Sequence, residues 1–249
     1  MEYVERSYRG RFASGRLHPF TVKFRESDLW IGVDEGSYSP MMEDDVLRWI
    51  VELRRSMDAC IAVDPGFRTS LVPYDAAPYA PEVMRHMSAV SHCTGIGPMS
   101  AVAGAFSLHV ATLLKENYHC SDVVVENGGD ICADSVSDMD IAVFAGQSPL
   151  SEKVGLHIPA GEFPLGVCTS GGTVGPSLSF GRADAVMIVC KDVLLADSYA
   201  TAFANRIKGQ SDLQPVIDQA SQTPDILAAL AVKDDRMALC GRYELRLFK

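Results

Sequence analysis

Apolar and polar positions alternate in two early runs, FTVKF (20–24) and LWIGV (29–33), and the polar RESD between them predicts a hairpin within the first 35 residues. The period then changes. From Met42 to about Cys60, Val46, Ile50, Leu53 and Met57 recur at helical spacing, behind a first turn of Glu43, Asp44 and Asp45 that suits the positive end of a helix. The segment DPGFRTSLVPYDAAPYAP (64–81) is dense in proline and turn formers and reads as a connecting loop. Helical pattern resumes near Pro81. TGIGP (94–98) then leads into SAVAGAFSLHVATLL, a helix with small residues along one side. After VVVENGGDI (123–131) come the short strands MDIAVFAG, KVGLHIP and LGVCTS, each ended by Gly, Pro or Ser. Beyond SGGTVGP (170–176) the pattern predicts a strand DAVMIVC, a helix VLLADSYATAFANRI, a helical acidic stretch, and the closing strands MALCG and YELRLF. Strands and helices mix without strict alternation, so the expected class is α+β, with mostly antiparallel sheets and flanking helices.

A chain of 249 residues with 47% apolar content can bury one sizeable core over residues 1–249, or build two intimately packed lobes that share a sheet. The formal net charge of -10 leaves no basic stripe for a phosphate backbone, so nucleic acid is not an expected partner. The charged start MEYVERSYRGRF lacks the apolar centre of a signal peptide, and no apolar run reaches the length of a membrane span. The expectation is a cytoplasmic protein without a membrane partner. Seven cysteines form an odd set with no C-x-x-C spacing, which predicts buried free thiols, and His86, His92 and Cys93 find no second pair to complete a four-ligand soft-metal site.

Two stretches admit both a plain and a functional reading. In VVVENGGDI, Asn-Gly and Gly-Asp are hairpin dipeptides, while a glycine pair after a buried strand also lets a phosphate or ring approach bare backbone. In Thr169-Ser170-Gly171-Gly172, hydroxyls and bare amides can cradle an anion or form a surface turn; no Gly-Lys-Ser/Thr follows, so this is not a Walker loop. Asp197 and Thr201 are four apart, which on a helix brings their Cβ atoms to about 5–6 Å on one face. That pair can supply oxygens to a hard cation such as Mg2+, or act as a cap and a backbone-bonded hydroxyl.

The order TGIGP with a small-residue helix, then NGGDI after a strand, then TSGG, then ADSYATA opening a helix, resembles the ApbE family of flavin transferases over roughly Thr94 to Asn205. It is most similar to a shorter branch without the lipoprotein leader. The resemblance implies an ApbE-like fold and a bound FAD or FMN beside Asn127, Gly128, Gly129 and Asp130, with Thr94, Gly95, Gly97, Thr169, Ser170, Gly171 and Gly172 around the ligand. It implies Mg2+ on Asp197 and Thr201, and cleavage of FAD with transfer of its FMN half to a hydroxyl of an acceptor protein. Two departures stand out. The transferases carry a Lys-Gly pair in the small-residue helix where this chain has Ala103-Gly104, and a histidine after the SG loop where this chain reads GGTVGPSLSFGRAD. No general base is visible, and Ser177, Ser179 and Arg182 offer only hydrogen bonds or charge, so the catalytic residues stay unassigned. Three readings remain open: Mg-dependent phosphoanhydride chemistry on FAD, a flavin-binding module without chemistry, and an enzyme of other specificity. A homodimer and an acceptor protein are compatible with each.

Overall fold

The structure is a computed structural model that describes residues 15–172 and 179–248. The charged start at 1–12 and Ser177 lie outside the described residues. β1 (Leu17–Phe24) and β2 (Ser27–Asp34) form the expected hairpin. α1 (Met41–Val63) buries Met42, Val46, Trp49, Ile50, Leu53, Met57 and Ile61 on one face, as its spacing predicts. The proline-rich connection contains a single helical turn, Gly66–Thr69, whose Phe67 enters the core. α2 (Glu82–Thr94) and α3 (Val102–Tyr118) flank the TGIGP turn.

β3 (Val123–Asn127), β4 (Asp130–Asp134), β5 (Met139–Ala142), β6 (Val154–Ile158), β7 (Leu165–Ser170) and β8 (Ala185–Cys190) follow, then α4 (Val193–Ala204) and α5 (Leu213–Ser221). The chain closes with β9 (Ile226–Lys233), β10 (Arg236–Gly241) and β11 (Glu244–Leu247). Here the pattern misleads in one place. The helical acidic stretch ends at Ser221, and ILAALAVK beyond it is a strand paired on both sides, with β8 and β10. Alanine favours helix, but pairing in the sheet interior overrides that preference: Ala229 and Ala231 face one core while Ala228, Leu230 and Val232 face another.

Eight strands form one antiparallel sheet in the order β1-β2-β3-β4-β7-β8-β9-β10, and β11-β6-β5 form a second. The two closing strands therefore belong to different sheets. The helices cover one face of the large sheet, where Val123, Val125, Cys132, Cys168, Val186 and Ile188 point. The small sheet covers the other, where Val124, Ile131, Val167 and Met187 meet Ile141, Leu156 and Ile158. Burial on both faces explains why strands such as AVMIVC are apolar throughout instead of alternating. α4 lies close against the sheet at Gly166, where a Cβ would stand 2.5 Å from the Cα of Val193.

Candidate functional site

The NGGD stretch is a two-residue hairpin loop. Asn127 and Asp130 pair across it, and Gly128 and Gly129 adopt φ of 74° and 107°, a backbone that excludes most side chains. The turn is also docked on a helix end. Asn127 Nδ2 donates to the carbonyl of Ala103 at 3.2 Å, and Ser107 Oγ donates to the Asp130 carbonyl at 2.8 Å, so both residues face the first turns of α3. Glu126, fully buried on the opposite side of β3, accepts the Gly129 amide at 2.6 Å and closes the turn from behind.

α3 has no side-chain cap from its own N-cap residue, Ala101. Asp197 of α4 supplies one across the helix interface: the Gly104 amide donates to its Oδ2 at 2.7 Å. Gly104 lets the two helices approach closely there, since a Cβ would meet Asp197 Cβ at 3.0 Å and the Val193 carbonyl at 3.1 Å. Asp197 is thus a capping acid, but of a neighbouring helix. Its Oδ1 makes no described hydrogen bond.

Burial pushes the Asp197 carboxyl up to about 7, an effect the Gly104 amide partly offsets. Asp130 is driven well above the usual carboxylate range by burial first, and then by the charges of Asp197 and Glu126. Among the described ion pairs none involves Asp130 or Asp197. Two carboxyls, 8% and 5% exposed, therefore stand together without an ion-paired cationic side chain among the described residues. One turn further along α4, Thr201 Oγ1 donates to Ser170 Oγ at 3.3 Å, which ties the helix to the TSGG segment. Thr169 joins the same junction through its amide, 3.1 Å from the Gly129 carbonyl.

The remaining residues singled out by sequence have local roles. Gly95 is the left-handed C-cap of α2, and Gly97 lies against the Ser70 carbonyl so closely that a Cβ would overlap it. Gly171 and Gly172 are pressed on the returning backbone at Asp184 and Gly181, and the Gly172 amide donates to the Ala183 carbonyl at 2.8 Å. Packing accounts for those two glycines without positive φ. Thr94 reaches the junction indirectly, through Ser198, whose Oγ lies 2.7 Å from Thr94 Oγ1 and 2.8 Å from Ser100 Oγ. Thr94 and Ser100 also bond the carbonyls of Val90 and Gly97, so three hydroxyl protons serve four contacts.

Several participants carry little sequence signal. Glu126 is detectable as the lone acid in an apolar run, whereas Ser198 and Ser100 look like ordinary small residues. His86 pairs with Asp192, with Nε2 2.6 Å from Oδ2, and His92 pairs with Asp75 at 2.9 Å. Among the described residues no group of three or more His, Cys, Asp or Glu side chains is placed to hold a metal ion.

Residues 9–231 match the family described as AbpE bacteria. A UPF0280 protein of Methanocella arvoryzae is 38% identical over 224 residues, which covers 89% of each chain. Another, from Methanocaldococcus jannaschii, is 33% identical over 226 residues with the same coverage. Among solved structures, the flavinyl transferase ApbE of Pseudomonas stutzeri aligns with a TM-score of 0.58 and 13% identity, over 90% of this chain and 93% of that one. The flavin transferase ApbE of Vibrio cholerae aligns with a TM-score of 0.60 and 12% identity, over 90% and 96%. At such identities the likeness is one of fold.

Proposed function

The chain belongs to the AbpE bacteria family, within the ApbE-like superfamily, and from that membership we propose that it binds a flavin nucleotide, FAD or FMN, together with Mg2+. The observation that carries this reading is the pair of buried carboxyls, Asp130 and Asp197, which has no cationic side chain beside it among the described residues. Such a pair is costly unless a cation joins it, and oxygen donors suit a hard one. Asp197 Oδ1 and the Thr201 hydroxyl would hold Mg2+, with Asp130 adjacent. When bound, the cation would neutralise a pyrophosphate and the charge on a departing nucleotide. The Asn127–Asp130 turn and the Thr169 and Ser170 hydroxyls would line the nucleotide, and Gly128 and Gly129 would let it approach the backbone.

A second reading, binding without transfer to an acceptor protein, draws on Ala103 and on the absence of histidine between Ser170 and Asp184. Titration of FAD with and without Mg2+ tests the main proposal. We expect Mg2+ to tighten FAD binding in the wild type and to have no effect in Asp197→Ala. Asp197→Asn keeps an acceptor for the Gly104 amide while removing the charge, so it separates the cap from the cation. FAD affinity indifferent to both Mg2+ and Asp197→Asn would reject the cation assignment.

A further inference from the structure

Cys168 lies directly opposite Asp130 in the antiparallel β4–β7 pair, a register that places the two Cβ atoms about 4.5–5.5 Å apart. Both side chains point to the helix-covered face of the sheet, and Cys168 is completely buried there. We propose that Cys168 is a positioning residue of this site: its thiol donates to the Asp130 carboxyl and fixes where that group points.

The single S–H proton has two acceptors in reach. One is the Val193 carbonyl, 3.6 Å from Sγ, but that oxygen opens α4 and already receives the amide four residues on, that of Asp197. The other is the Asp130 carboxyl, directly across the strand pair. Completely buried away from water, the thiol keeps its proton and serves as a donor. The bond in turn opposes the upward push on Asp130. Gly166, two residues earlier on β7, lets α4 close over the thiol and seal it from solvent. A plain core cysteine would need none of this; here the group across the strand is a buried acid of the proposed site.

The ligand arm of the test rests on the flavin reading, while the infrared arm does not. The S–H stretching band lost in Cys168→Ala identifies this thiol, and we expect that band to rise in frequency in Asp130→Ala, whose folding is checked by circular dichroism. An unmoved band overturns the proposal. In the second arm, FAD is titrated in Mg2+. Cys168→Ala should weaken binding roughly tenfold, and Cys168→Ser, which keeps a donor, should recover most of it. Equal weakening in Cys168→Ala and Cys168→Ser reduces the thiol to packing and overturns the positioning role. A wild type that binds no FAD rejects the flavin reading instead, and the infrared band then decides the Cys168–Asp130 contact by itself.

Discussion

Gly129 concentrates two demands on one position. Its φ of 107° is foreign to side chains, and an added Cβ would stand 3.1 Å from the Thr169 carbonyl. Gly129→Ala should therefore cost roughly 1–3 kcal/mol, read from urea midpoints, because strained backbone and a crowded contact act together. FAD affinity should fall in the same variant while it still folds. A midpoint equal to that of the wild type would mean that the turn relaxes freely and that glycine is incidental there. The double glycine was legible in the sequence, since Asn-Gly marks such turns without knowledge of the fold. The role of Glu126 was not, because whether an acid in a strand faces solvent or the back of a turn depends on what covers that face.

At the scale of elements, α4 is the organising helix, fastened by Asp192 at its start, Ser198 midway and Thr201 near its end. Asp192 Oδ1 caps the amides of Leu194 and Leu195 at 2.9 and 3.4 Å, while Oδ2 binds His86 of α2. The hydrogen bond to Asp192 raises His86 above its ordinary value of 6.5. Burial pushes the Asp192 carboxyl up, but His86 and the two amides bring it below 3.8. The signs fix the window. A raised histidine contributes fully below pH 6.5 and loses its contribution as pH rises through the folded value; a lowered carboxyl contributes above 3.8 and loses it on acidification. The melting-temperature gap between wild type and His86→Ala should be largest near about pH 5.5 and narrow by about pH 9. Because the pair is about a third exposed, the change should stay under roughly 1 kcal/mol. A gap that is constant with pH would mean His86 acts only through packing.

For the molecule as a whole, the helix layer, the large sheet and the small sheet bring four sequence-distant segments to one junction: the start of α3, the β3–β4 turn, the end of β7 and α4. The second reading proposed above, binding without transfer, sets the prediction at this scale. Incubation with FAD, Mg2+ and an acceptor domain should leave no flavin mass adduct on the acceptor at an ordinary rate, since lack of a general base typically costs about 10²–10⁴-fold. Efficient adduct formation would show that another group, such as Asp130 or a residue of the acceptor, takes the proton.

The sequence by itself determined the amphipathic α1, the first hairpin, the placement of Asp197 and Thr201 one turn apart on a helix and the mixed antiparallel class, because these follow from local spacing and turn chemistry. Only the tertiary structure decided that ILAALAVK is a strand, since an alanine-rich run takes its conformation from the neighbours that pair with it. Only the tertiary structure turned Asp197 into the cap of α3, set His86 on Asp192 and placed Cys168 opposite Asp130. Those contacts join residues tens of positions apart, and their energies come from burial and from cross-element geometry, neither of which is written in any local period.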